Sequence, residues 1–311
     1  MGYSRYDAHD WGRYERTTAK RTERDYTART IRREFDPTRF RLRECVASKA
    51  NPEPTPIILG LDETGSMGYL AEAMRRGLGP CFEQVLSRTL AGRLVPDPSL
   101  LACAIGDMDY DRAPIQITQF ENDPVTLGRQ IENLYLEGNG GGNAHESYLG
   151  PLYFAALRTR CDAFTGACPR KGFIFTMGDE EPQMVLTRAQ VKRFFGDRIE
   201  RDLTASDLIA LVRPNWHYFH LIVEEGSYYR SNPHQTAWKW HDLLGQNAIA
   251  LSDHSRMAEV IVSAIEHLAG RDPADIVGSW SGATSQAVQH ALRGRIPRGR
   301  GGNPGREARA R

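Results

Sequence analysis

Between residues 57 and 268, short apolar runs alternate with longer amphipathic stretches, and this rhythm limits what the chain can fold into more than any other feature. Short, nearly unbroken apolar runs suit strands buried on both faces, and the amphipathic stretches between them suit helices that cover those faces. Strands are expected at Ile57–Leu61, Leu100–Ile105, Ile115–Phe120, Gly172–Met177, His217–Val223 and Ala248–Leu251. Helices are expected over Met67–Leu90, Pro124–Leu134, Glu146–Arg160, Thr187–Phe195, Ala205–Leu211, Gln235–Leu244 and Ser255–Leu268. The link Gly106–Pro114 is too short for a helical crossover, so the third strand should pair antiparallel at a sheet edge. The expected fold class is α/β: a doubly wound, mostly parallel six-stranded sheet with one antiparallel edge strand and helices on both faces.

Asn51-Pro52-Glu53-Pro54-Thr55-Pro56 interrupts regular structure, because each proline fixes its own φ and restricts the residue before it. We therefore divide the 311 residues into a basic, polar N-terminal extension (1–50), one domain (51–271), a C-terminal packing segment (272–292) and a Gly/Arg-rich tail (293–311). Phe35, Phe40 and Leu42 are the hints that the extension docks. The tail has almost nothing apolar to bury and is expected to be disordered.

A net charge of +1 conceals an uneven distribution. Residues 1–43 hold 12 basic and 7 acidic side chains, residues 291–311 hold 7 and 1, and the body between holds 21 and 31. Basic ends on an acidic body suit nucleic acid, an anionic surface or the body itself, and composition does not choose among them. The five cysteines are odd in number and lack paired ligand spacing, which argues against a disulfide framework and a zinc knuckle. No apolar run suits a signal peptide or a membrane span, so a cytoplasmic chain without a membrane partner is expected. Gly2 does not read as a myristoylation site, because position 6 is Tyr6.

In open α/β sheets, ligands gather where loops leave the carboxyl ends of the strands. Three polar loops fall there. Asp62-Glu63-Thr64-Gly65-Ser66-Met67-Gly68 follows the first strand and offers oxygens at alternate positions. Carboxylate and hydroxyl oxygens are hard donors suited to Mg²⁺ or Mn²⁺. Gly138-Asn139-Gly140-Gly141-Gly142-Asn143-Ala144-His145-Glu146-Ser147 feeds a helix, and Gly178-Asp179-Glu180-Glu181-Pro182 follows another strand.

The Asp62-x-Thr64-x-Ser66 loop resembles the Asp-x-Ser-x-Ser metal-ion-dependent adhesion site of von Willebrand factor A domains. The spacing to Gly140–Asn143 and to Asp179 is similar to the second and third loops of that site. The resemblance covers roughly residues 57–268 and implies the bacterial intracellular type of this Rossmann-like fold. It implies that Thr64 and Ser66 bind a divalent cation through their hydroxyls, with Asp62 and Asp179 acting directly or through water. Asn143 stands where the family usually has threonine, and Glu146 or Ser147 could share its role. Mg²⁺ is the implied cofactor, with Mn²⁺ or Ca²⁺ as alternatives. One coordination position stays open in the family and takes a partner's carboxylate. The implied function is a non-enzymatic protein-interaction module in a multi-protein bacterial assembly, such as a complex containing an ATPase. Glu63, Met67, His145, Glu146 and Glu180 are the candidate partner contacts.

Two other readings remain open. A haloacid-dehalogenase-like phosphatase also uses an aspartate after its first strand and a magnesium ion, and Gly106-Asp107 with Asp111 mimics its Gly-Asp-x-x-x-Asp motif; position 64, however, would need an acid/base aspartate and is threonine. The basic ends could bind nucleic acid, with affinity that collapses in salt. Asp107, Asp109 and Asp111 alternate like cation ligands but are read as a solvated hairpin connection. The aromatic stretches at 216–220 and 238–241 are read as core packing.

Overall fold

The computed structural model describes residues 13, 16, 28, 30–67, 77, 95–135, 144–165 and 168–293. Its strands are β1 (Arg43–Cys45), β2 (Thr55–Asp62), β3 (Pro98–Ile105), β4 (Ile115–Ile117), β5 (Thr159–Cys161), β6 (Gly172–Gly178), β7 (Val185–Leu186), β8 (Leu203–Thr204), β9 (Trp216–Val223) and β10 (Ala248–Leu251). Six of them form one sheet in the order β10-β9-β6-β2-β3-β4. All neighbours are parallel except β3 and β4, which pair antiparallel at the edge. The chain winds outward from β2 through β3 to β4, then returns to lay β6 on the other side of β2. That reversal places a topological switch point between β2 and β6, at their carboxyl ends.

Residue alternation explains why the sheet carries helices on both faces. Every residue of β2, β3 and β6 is buried. On β2, Ile57, Leu59 and Leu61 join one core with Ile261 and Ile265, while Ile58 faces the other with Leu152 and Phe154. A strand covered on both sides needs no polar face, which is why these runs are apolar throughout.

The helices are α1 (Pro124–Glu132), α2 (Leu149–Leu157), α3 (Arg188–Phe195), α4 (Ala205–Val212), α5 (Ser227–Ser231), α6 (Pro233–Leu244), α7 (Met257–Leu268), α8 (Pro273–Gly278) and α9 (Gly282–Ala291). Thr187 with Gln190 and Thr204 with Asp207 form capping boxes that start α3 and α4. The six expected strands are all present, although β4 stops at Ile117, short of Phe120. The helix expected over Glu146–Arg160 is shorter at both ends. It begins at Leu149, because residues 144–148 form a turn, and it ends at Leu157, because Thr159–Cys161 pair with Arg43–Cys45. Of the helix expected over Met67–Leu90, only Met67 and Gly77 are among the described residues, and the tail from 294 onward lies outside them.

Both flanking segments pack on the sheet domain. Phe35 is buried, and Arg158 donates to the carbonyls of Pro37, Phe40, Arg41 and Phe195 at 2.8–2.9 Å. Ile276, Val288 and Leu292 enter the core beside α7, and Trp280 Nε1 donates to Ser263 Oγ at 2.9 Å. The aromatic run of β9 packs inside as expected, and so does Trp240; Trp238 is exposed instead. No helix among the described residues is long and apolar enough to cross a membrane.

Candidate metal centre

Asp62 is the last residue of β2 and has no exposed surface. Its Oδ1 accepts from the Thr64 backbone N–H at 3.0 Å and from Thr64 Oγ1 at 2.6 Å, while Oδ2 accepts from the Tyr148 hydroxyl at 2.7 Å. Thr64 Oγ1 lies 3.3 Å from Ser66 Oγ, and Ser66 Oγ donates to Asp179 Oδ1 at 2.7 Å. Asp179 Oδ2 accepts from the Tyr228 backbone N–H at 2.8 Å. Four side chains from two loops thus form one continuous chain of oxygens across the switch point. A hydroxyl carries one proton and two lone pairs. With their protons directed at Asp62 and Asp179, Thr64 and Ser66 keep lone pairs free for a cation.

Two glycines make the close approach possible. A Cβ on Gly178 would lie 2.1 Å from the Tyr148 hydroxyl and 2.6 Å from Asp62 Oδ2, and one on Gly226 would lie 2.2 Å from Asp179 Cβ and Oδ2. Neither position has room for a side chain.

The turn at 144–148 ties the loops together. Glu181 N–H donates to the Ala144 carbonyl at 3.1 Å, Ser147 N–H donates to the Gly106 carbonyl at 3.1 Å, and the Met108 N–H donates to Ser147 Oγ at 2.8 Å. With the Tyr148–Asp62 bond, this turn touches the loops after β2, β3 and β6. Glu146 sits at its centre, 1% exposed, with Oε2 lacking a hydrogen-bond partner; Glu180 is 6% exposed and its Oε2 is also unpartnered.

Crowded, buried carboxylates resist ionisation. Burial, with the charge of Asp179 nearby, pushes Asp62 up to about 7. Burial also raises Asp179. Burial and the charges of Asp62 and Asp179 push Glu180 up to about 8, and burial with Asp62 and Glu180 nearby pushes Glu146 up to about 11. A divalent cation relieves such a cluster, and the hard oxygen donors of Asp62, Thr64, Ser66 and Asp179 suit one. The residues therefore fit the group that the sequence implies.

Several expected site residues are placed differently. Asn143 lies outside the described residues. Met67, expected as a partner contact, is 1% exposed and packs in the core instead, because the turn that gathers Thr64 and Ser66 points it inward. Glu63, Glu146 and Glu180 are buried within the centre rather than displayed at its rim. His145 is half-buried and bridges to Glu181 through its backbone. The Gly106–Pro114 connection is a hairpin link solvated only at its tip: Asp109 and Tyr110 are exposed, whereas Asp107 and Asp111 are buried, and Asp111 Oδ2 accepts from the Asp107 N–H at 2.7 Å to close the loop.

Sequence reasoning missed Tyr148 and the α5 loop. Ser227 donates from N and Oγ to the Ser66 carbonyl, at 3.2 and 2.9 Å, and so clamps the Ser66 loop from the β9 side. The signal available was position, since Gly226 and Ser227 follow the carboxyl end of β9 as Asp179 follows that of β6.

No protein-family model and no curated protein matches the chain. Three similar solved structures are the pilus adhesin SpaC from Lactobacillus rhamnosus GG in an open conformation, proximal thread matrix protein 1 from the mussel byssus with a zinc-occupied MIDAS motif, and a von Willebrand factor type A protein from Catenulispora acidiphila. Their identities are 9%, 10% and 11%, their TM-scores 0.42, 0.43 and 0.39, and they cover 74%, 73% and 69% of this chain. The chain in turn spans 31%, 49% and 42% of theirs. The sheet order and the meeting of the Asp62 and Asp179 loops at the switch point settle the architecture. The fold is a doubly wound α/β sheet with one antiparallel edge strand. In this doubly wound fold the oxygen cluster sits at the carboxyl edge of the central strands, which is the ligand-binding edge of such sheets in general.

Proposed function

We propose that the chain is a non-enzymatic protein-interaction module, in which Asp62, Thr64, Ser66 and Asp179 hold a divalent cation that takes up an Asp or Glu side chain of a partner protein. The observation that supports this reading is the unbroken series of oxygens from Asp62 through Thr64 and Ser66 to Asp179. When bound, the cation supplies a Lewis-acidic anchor for a carboxylate, and the chain's own residues orient and retain it. We propose Mg²⁺ as the resident ion, with Mn²⁺ or Ca²⁺ able to substitute, and Asn143 as a further ligand. An intracellular setting, in an assembly that contains other proteins such as an ATPase, belongs to the same proposal.

The phosphatase alternative is disfavoured by the surroundings of Asp62. A nucleophilic carboxylate must reach a phosphoryl group, whereas Asp62 is fully buried and both of its oxygens accept hydrogen bonds. The basic ends that would serve nucleic acid lie mostly outside the described residues.

The test is affinity capture with the full chain in Mg²⁺, repeated in EDTA and with Thr64→Ala/Ser66→Ala. Capture that depends on both the ion and the hydroxyls is the expected result. A partner retained in full by the double variant would defeat the proposal, and so would turnover of a generic phosphate ester abolished by Asp62→Asn.

A further inference from the structure

Glu146 and Glu180 lie in the same centre but are not among the four residues assigned to the first cation, although Glu180 shares a hydrogen bond with Ser66. Each is at least nine-tenths buried, and each has an oxygen, Oε2, with no hydrogen-bond partner. An ionised carboxylate in that position is costly unless a charge of opposite sign meets it. Their placement is set by backbone contacts. The Ala144 carbonyl binds the Glu181 N–H, which brings the two glutamate-bearing loops together, and Tyr148 ties the same turn to Asp62. Trp240 Nε1 donates to the Glu180 carbonyl at 2.8 Å and fixes that residue from the β9 side.

Charge counting across the centre leads to the same place. One divalent cation offsets Asp62 and Asp179, and whatever negative charge Glu146 and Glu180 carry must be met by a second, since a partner carboxylate would otherwise enter a site already crowded with acids. Two carboxylates with water completing the shell are a usual way to hold Mg²⁺ or Mn²⁺. We propose that the centre takes two neighbouring divalent cations, the second held between Glu146 and Glu180. The inference rests on the first-site reading in one respect: the second ion neutralises the buried carboxylates beside which the partner carboxylate binds the first.

The experiment uses the full chain, stripped with chelator, titrated with Mn²⁺ at pH 8 by equilibrium dialysis and followed by electron paramagnetic resonance. The expected wild-type result is two Mn²⁺ per chain, with a spectrum broadened by coupling between close ions. Thr64→Ala/Ser66→Ala and Glu146→Gln/Glu180→Gln should each keep one ion and show an uncoupled spectrum. One ion in the wild type, lost in Thr64→Ala/Ser66→Ala and unchanged in Glu146→Gln/Glu180→Gln, would overturn the second site and leave the first reading standing. One ion that survives Thr64→Ala/Ser66→Ala would overturn the first reading as well, as would none. Two ions without coupling in the wild type would overturn their being neighbours, and that measurement needs no variant to fold.

Discussion

Ser66 Oγ donates to Asp179 Oδ1 at 2.7 Å across 113 residues of sequence, and this contact joins the loop after β2 to the loop after β6. It is a long-range constraint that local propensity cannot supply. It depends instead on the parallel register of the two strands, in which Leu61 lies opposite Met177. The two loops therefore leave the sheet side by side.

Gly226→Ala should break that relationship while leaving both Ser66 and Asp179 in the sequence. The added Cβ would sit 2.2 Å from Asp179 Cβ and Oδ2, backed by the loop that also supplies the Tyr228 N–H, so Asp179 must swing away from Ser66. Mn²⁺ binding is expected to weaken at least tenfold, equivalent to about 1.4 kcal/mol. Isothermal titration of the stripped protein measures it; unchanged affinity would show that Asp179 is not needed.

Titration of the centre gives a signed prediction. The folded value for Asp62, about 7, lies above the ordinary 3.8, so between those values the folded chain holds a proton that the unfolded chain has released. The stabilising contribution is fully present below about pH 4 and is lost as pH rises through 7; the value of about 8 for Glu180 extends the window upward. In chelator, Glu146→Gln/Glu180→Gln should therefore gain stability over the wild type as pH rises from 6 to 9. Cation binding has the opposite slope, because protons compete for the same oxygens, and Mn²⁺ affinity should fall as pH drops below 7. Melting curves at matched pH, with and without Mn²⁺, report both slopes.

Tyr148→Phe keeps the ring packed against His220 and Trp240 and removes only the hydroxyl that reaches Asp62 Oδ2. One buried carboxylate oxygen loses its donor, and the expected cost is about 1–3 kcal/mol in chelator. Urea unfolding checks this, and saturating Mg²⁺ should recover part of the loss if the cation shields Asp62.

The strands and the two aspartates were legible because their signals are local. Apolar runs announce doubly covered strands, and an acidic residue directly after such a run falls at the ligand-binding edge. Tyr148 was not legible, since a tyrosine at the start of an apolar helix looks like core until its hydroxyl is traced to Asp62. The donors from Ser227 N and Tyr228 N were not legible either, because a backbone N–H leaves no mark in residue type. Glu63, Glu146 and Glu180 are expected as partner contacts, and residue type alone carries no sign that they are buried. Only the convergence of the loops shows them buried together. The pairing of β1 with β5 spans three residues on each side, too few for any periodicity to register.

Arg158 carries the attachment of the N-terminal segment, and its removal tests whether that segment is part of the domain. Its guanidinium donates to the carbonyls of Pro37, Phe40 and Arg41 on one side and Phe195 on the other, with Asp197 Oδ2 at 3.5 Å. Buried carbonyls that lose a charged donor have no ready replacement, so Arg158→Ala should cost about 2–4 kcal/mol. Lysine presents a single ammonium in place of the planar fork and cannot reach four separated carbonyls, so Arg158→Lys should recover little of the loss. Hydrogen exchange localises the effect: faster exchange at the Arg43 N–H, which donates to the Arg158 carbonyl at 2.9 Å, with β2 and β6 unchanged, is the expected pattern. Uniform acceleration across the sheet would instead make Arg158 a determinant of the whole fold.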